Sequence, residues 1–462
     1  MITPNGIHYT WKQIFDRLGI KAEADHFFLS GRKISFHYGQ PESIAENENH
    51  YQLIIQPGKP DGMDLICDDP NYSITRLKTD EFLPSASTAY PVQELPVLFW
   101  GKAAPKNKLA EIISQRTLII HADLIQSIFF MLSRYEEVHL EIEDQHGRFP
   151  FSASTACRFG LIELPLVDLY VLILKIWLEE WTGAQLEPAG KFEIALSHDV
   201  DFLSPYRPAA NWLRSFAKDA LRMNAAHILE DVRGLSAGYV SDPYFLGVKR
   251  LAETSAKHGI ISTFNLMAAR RARRDEGYSL ESKEFREVIK VIRDHGHQVG
   301  LHASYLSFDQ PTLVVEEKTR LESAIGAPVS VVRQHYLRVK TPQSWAALAE
   351  AGFSRDTSYG FSEHEGFRCG TCHPYPVFDL ENDRELPLTE EPLIVMDTTL
   401  KTYRKLDVED GISSIRRMAQ MCKAVNGKFT LLWHNTSFFR DWEKWGDLYE
   451  PVIASLVELE KD

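Results

Sequence analysis

The sequence predicts an α/β chain in two parts: a smaller α/β or α+β N-terminal domain over residues 1–188, then a distorted (β/α) barrel over 189–462. Three observations lead there. The chain has 462 residues, more than one hydrophobic core usually organises. Its apolar rhythm changes at a turn-rich stretch from Trp181-Thr182-Gly183 to Pro188-Ala189-Gly190. Beyond that stretch, strand-like runs alternate with helical stripes, the pattern of a β/α layer or barrel.

Composition narrows the class. Hydrophobic residues make up 44% of the chain and charged residues 25%, the profile of a folded protein rather than a disordered or fibrous one. Acidic residues outnumber basic ones 64 to 51, a formal charge of -13, so no nucleic-acid partner is expected. The opening MITPNGIHYTWKQIFDRLG lacks the basic start and apolar core of a secretory signal. The longest apolar run, LPLVDLYVLILKIWL at 164–178, is broken by Asp168 and Lys175, and a buried helix is expected there rather than a membrane span. Five cysteines make no even-numbered disulfide framework, which fits a reducing compartment. A cytoplasmic protein is the resulting expectation.

The elements follow in order. Short apolar runs (YQLIIQP, LPVLFW, TLIIH) occupy the first part, followed by helix-like segments at 122–137 and 164–181. In the second part FEIALS (192–197) predicts a strand, 246–258 a helix ending at Gly259, and IISTFNL (260–266) another strand. Over 282–295, Phe285, Val288, Ile289 and Ile292 fall at i, i+3, i+4 and i+7, a single helical stripe. A strand at 298–301, a helix at 312–325 and a strand at 329–332 come next. Thr341-Pro342 suits the N-cap and first position of a helix ending near Gly352. FTLLW (429–433) is apolar throughout, as in a strand covered on both faces.

Polar residues sit just past these strands. FEIALS runs into His198-Asp199-Val200-Asp201, VGL into His302, SVV into Arg333-Gln334-His335, and FTLLW into His434-Asn435. In a barrel of parallel strands these ends converge over one mouth. Asp199 and Asp201 are two apart in an extended chain, so they share a face while His198 points away toward the core. Two close carboxylates take different roles when a cation separates them, with Asp201 as ligand and Asp199 as base. The plainer alternative is that either aspartate caps a turn.

Taken in sequence, FEIALSHDVDF, GHQVGLHASY, VVRQHYLR, GFRCGT and FTLLWHN resemble the five motifs of the polysaccharide deacetylase (NodB-homology, carbohydrate esterase 4) family. The resemblance covers roughly 190–462, and FFMLSRYEE with DQHGRFPF (129–151) is similar to the N-terminal companion domain of one bacterial branch, often found with surface-polysaccharide genes. It implies a barrel of the NodB-homology type. It also implies Asp199 as catalytic base, Asp201 and His302 as metal ligands, Arg333 as the holder of the base, and His434 as the acid. Asp356 and Asp397 both adjoin apolar stretches and are the candidates for the partner of His434.

One position departs from the family pattern. The second metal histidine should fall four residues after His302, where this chain has Leu306. Catalytic zinc usually takes three protein ligands. His335, at a strand end of the same mouth, is the expected replacement, ahead of His295 and His297, which precede their strand. Zinc is the expected ion, and manganese or cobalt suits the same donors. Arg368 in the GFR loop, Tyr336 and Tyr359 are candidate substrate contacts. Cys369-Gly-Thr-Cys372-His373 spells a haem-attachment or redox pattern, but Pro374 and Pro376 mark a loop. The expected activity is metal-dependent removal of acetyl groups from an N- or O-acetylated glycan or glycan precursor. The alternatives are a carbohydrate-binding barrel without catalysis and a metal-free amide hydrolase.

Overall fold

The computed structural model describes the whole chain apart from residues 1, 42–50, 85–89, 103, 106, 188, 207–226, 229–231, 235–237, 271–273, 276 and 462. The expected boundary residue Pro188 therefore lies outside the described residues.

Two main sheets lie on either side of that position. In the first part, β1 (His26–Leu29), β2 (Arg32–Tyr38), β3 (Tyr51–Ile55), β6 (Ala110–Ser114) and β7 (Thr117–Ile120) form a five-stranded sheet in the order β1-β2-β3-β7-β6, while β4 (Thr75–Lys78) and β5 (Glu94–Val97) pair separately. In the second part come β8 (Glu193–Val200), β9 (Thr263–Met267), β10 (Gln298–Ala303), β11 (Val331–Gln334) and β12 (Arg355–Asp356). They are followed by β13 (Tyr375–Asp379), β14 (Arg384–Glu390), β15 (Val395–Met396) and β16 (Lys428–Leu432). These nine pair in the order β13-β14-β12-β11-β10-β9-β8-β16-β15, and all neighbours are parallel except β13 with β14. The sheet curls like half a barrel. Among the described residues it does not close, since β13 and β15 remain its edges.

The helices cover this sheet by the apolar stripes that the sequence carries. Lys283–Asp294 starts at Ser282, whose hydroxyl accepts from the Phe285 amide, and it buries Phe285, Val288, Ile289 and Ile292. Pro243–Lys257 begins three residues earlier than its apolar pattern, because Asp242 caps it with Pro243 at the first position. The helix Leu166–Thr182 is the long apolar run, and it is buried within the fold. Among the described residues no helix is long and apolar enough to cross a membrane.

Two expectations change. The segment 122–137 is two helices, Leu124–Leu132 and Tyr135–Leu140, because Arg134 between them adopts φ 56° and turns its guanidinium onto Glu136 and Glu137. Thr341 does not cap the helix Gln343–Glu350, since its hydroxyl donates to Glu137 and meets the Tyr359 hydroxyl. The two parts are packed on one another. One continuous hydrophobic cluster runs from Ile2 to Val457, and the Phe378 ring packs on both Tyr9 (5.0 Å) and Phe129 (5.3 Å).

Candidate active site

Parallel pairing brings the polar strand ends together at one edge of the large sheet. Asp199 on β8 lies level with Asn265 on β9, and His302 on β10 lies level with Arg333 on β11. Gly300 leaves room at this level: a Cβ there would stand 2.2 Å from Asn265 Oδ1. A cavity of about 280 Å³ opens above, walled by Asp199, Asp201, His302, His335, Tyr336 and His434. A larger cleft of about 1150 Å³ adjoins it and shares Asp201 and Phe202, but the convergent titratable groups face the smaller one.

Asp199 is held from two sides. Its Oδ1 accepts from Asn265 Nδ2 at 2.7 Å, and Arg333 Nε stands 3.4 Å away. Arg333 is itself steadied by Ser197 Oγ at 2.8 Å. Burial pushes the Asp199 carboxyl up, but the charges of His302, Arg333 and His434 outweigh it, so the group is held below the usual carboxylate range. His198 lies on the opposite face, packed on Phe264 and donating to the Trp433 carbonyl.

Asp201 meets two imidazoles. Its Oδ1 is 3.2 Å from His302 Nε2 and 4.0 Å from His335 Nε2, yet neither contact has hydrogen-bond geometry, and this buried oxygen has no hydrogen-bond partner. Both rings are aimed by their far nitrogens. His302 Nδ1 donates to the Arg333 carbonyl at 3.0 Å, and His335 Nδ1 donates to Asp275 Oδ1 at 2.8 Å. Those acceptors cannot donate, so in the neutral rings the free lone pairs sit on the two Nε2 atoms facing Asp201. Ligand atoms of Asp201, His302 and His335 all fall within 4.8 Å of one another. One carboxylate and two imidazoles with an open side suit a catalytic divalent ion. The orphaned Asp201 oxygen fits the same ion. Leu306 is 43% exposed, and His297 is spent on the Ser262 amide and the Ala252 carbonyl, so neither takes part.

Across the cavity, His434 Nδ1 donates to Asp397 Oδ1 at 2.7 Å. The His434 amide and Ser437 hydroxyl occupy the other oxygen of Asp397 at 2.9 and 2.6 Å. Burial works against the charged ring, but Asp397 and the more distant Asp201 and Asp199 raise its pKa to about 10. Of the two candidate partners, Asp397 is the one in contact. Asp356 binds Ser358 instead, and burial pushes its carboxyl up.

The expected substrate contacts divide. Tyr336 lines the cavity and is 38% exposed. Arg368 and Tyr359 do not line it, a correction to the reading of both. Arg368 is buried and grips Glu137 with two hydrogen bonds of 2.9 and 3.0 Å, so its charge is already neutralised. Tyr359 is wholly buried, packed on Trp345 with ring centroids 4.5 Å apart. Cys369 and Cys372 in the same loop are buried free thiols. Asn265, Asp275 and Arg148 were not singled out from the sequence. Only Asn265 carried a signal there, as an amide inside an otherwise apolar strand end.

Comparison with known proteins adds little beyond this geometry. Residues 2–183 match a family of unknown function (DUF7033). No curated protein matches the chain. Among solved structures, a putative polysaccharide deacetylase from Mycobacterium smegmatis is 18% identical, covers 58% of this chain and 84% of its own, and has a TM-score of 0.38. A probable polysaccharide deacetylase from Pseudomonas aeruginosa PAO1 is 14% identical over 58% of this chain and 85% of that one, with a TM-score of 0.36. Puue allantoinase is 13% identical over 58% and 84%, with a TM-score of 0.37. Likenesses of this size leave the functional reading to the site itself.

Proposed function

We propose that the chain is a metal-dependent hydrolase that removes acetyl groups from an N- or O-acetylated glycan or glycan precursor. One observation carries the reading. An ionised carboxylate (Asp199) and a protonated imidazole (His434) flank the donor set Asp201, His302 and His335 in one cavity wall. Acyl transfer to water needs those three functions: a base, an acid and a Lewis-acid position.

Asp201, His302 and His335 are the residues that would hold the ion, zinc first and manganese or cobalt on the same donors. When bound, a divalent ion supplies Lewis acidity to the acetyl carbonyl and acidity to water. The chain supplies the proton traffic. Asp199, oriented by Asn265 and Arg333, accepts a proton from the attacking water. His434, kept protonated by Asp397, delivers one to the departing nitrogen or oxygen. Tyr336 offers an exposed aromatic edge against which a sugar ring packs.

Acetate release tests the proposal. Purified protein carrying one equivalent of zinc should release acetate from an acetylated chito-oligosaccharide and from an aryl acetate. His434→Ala should lose more on the amide than on the ester, because a phenolate leaves without a proton. Zinc-loaded protein inactive on both substrates would leave the non-catalytic binding reading, and undiminished turnover after metal removal would favour the metal-free amide hydrolase.

A further inference from the structure

We infer that residues 144–148 of the N-terminal region position the third metal donor, His335, which makes that region part of the metal centre; the inference rests on the metal reading above.

His335 leaves the end of β11 in an unusual turn. Tyr336 and Leu337 adopt φ of 62° and 53°, successive left-handed conformations that L side chains rarely hold unless their surroundings over-determine them. The surroundings come from the other part of the chain. Arg148 Nη1 donates to the Tyr336 carbonyl at 3.0 Å. From the same turn, Arg338 Nε donates to the His146 carbonyl, and its guanidinium lies 3.8 Å from the Tyr305 ring centroid. Four residues after Arg338's neighbour Leu337, Thr341 donates to Glu137 at 3.0 Å. The segment that carries His335 is therefore tied to the N-terminal region at three points.

The gripping loop is itself stiff. Asp144 Oδ1 accepts from the amides of His146 (2.7 Å) and Arg148 (3.0 Å), and its Oδ2 takes Arg148 Nε (2.9 Å) and Nη2 (2.7 Å). Arg148 is only 6% exposed and lines the cavity. An arginine aimed into a cavity is ordinarily read as an anion clamp. Here the Asp144 carboxylate neutralises the charge, the Tyr403 hydroxyl is a further partner of the guanidinium and a third bond goes to a backbone carbonyl, so the geometry assigns it to positioning instead. Asp275 aims the His335 ring from within, and the Asp144–Arg148 loop fixes the backbone that presents it.

Full-length Arg148→Met, which keeps the aliphatic stem, and Asp144→Asn test this. Zinc affinity is read by chelator competition, the ligand field by the visible absorption of cobalt-loaded protein, and stability by the melting temperature of the metal-free chain. Zinc affinity should fall about tenfold in Arg148→Met, with an altered cobalt spectrum. A purely structural arginine would lower the metal-free melting temperature and leave the cobalt spectrum of the folded protein unchanged. Should Arg148→Met fail to fold, Asp144→Asn is read the same way. Wild-type affinity and spectrum in both variants would overturn this inference alone, whereas a wild-type chain that takes up neither zinc nor cobalt overturns the metal reading with it.

Discussion

Two groups of side chains in this molecule look alike by residue type and differ in chemistry. Asp201, His302 and His335 form one; Asp168, Cys372 and His373 form the other, and each set brings its ligand atoms within 4.8 Å of one another. In the second group the carboxylate is already saturated. Asp168 Oδ1 accepts from Thr371 (2.6 Å) and Arg17 (3.3 Å), and Oδ2 accepts from the Cys372 amide (2.9 Å) and thiol (3.5 Å). His373 Nε2 donates to the Val425 carbonyl, and burial pushes the Cys372 thiol well up, away from the thiolate a metal needs. In the first group Asp201 Oδ1 has no hydrogen-bond partner, and the Nε2 atoms of His302 and His335, free to carry lone pairs in the neutral rings, face it. Unspent lone pairs, rather than ligand-type residues in proximity, separate a metal centre from a buried structural knot.

The contrast is easiest to break with metal content. His335→Ala should lose its zinc on dialysis, while His373→Ala keeps a full equivalent by elemental analysis; the reverse pattern would exchange the two groups. Asp199→Asn comes next. It removes the proposed proton acceptor beside the first group and should lower turnover about 10²–10⁴-fold with zinc retained. A variant keeping over half of wild-type turnover would take Asp199 out of the base role. Asp168→Ala probes the second group through stability, since it strands the buried Arg17. Urea unfolding should show a loss of about 3–5 kcal/mol and acetate release should persist in the folded protein. The smallest effect is on pH. The proposed mechanism needs the proton-bearing form of His434, whose pKa is raised to about 10, so turnover should fail as pH rises through that value. In Asp397→Asn this alkaline limit should move down by about one unit, roughly 1.4 kcal/mol, in a kcat profile; an unmoved limit would assign it to another group.

What could be read beforehand divides along the same line between local and distant causes. The shared face of Asp199 and Asp201, and the placing of His302, His335 and His434 at one mouth, follow from strand alternation and from parallel pairing, both local in the chain. The curled α/β sheet was legible for the same reason. Asp397 could not be separated from Asp356, because the choice depends on β15 lying beside β16, a pairing of distant strands. The GFR resemblance points Arg368 toward substrate, and nothing local corrects it, because its neutralising partner, Glu137, lies 231 residues earlier. The break at Arg134 carries no glycine or proline to announce it, and Asp275 sits in a loop without a pattern.

The ion cluster joining the two parts has a further consequence for how the protein meets salt. Arg134 and Arg368 with Glu136 and Glu137 sum to zero charge in a setting where all four side chains are almost wholly buried. The chain as a whole, by contrast, carries a formal net charge of -13. At about 0.1 M salt, screening acts over roughly 10 Å of solvent and scarcely reaches such an interior. Raising the ionic strength therefore screens the charges on the outside while leaving the junction between the halves as it was, and strong brine should not part them.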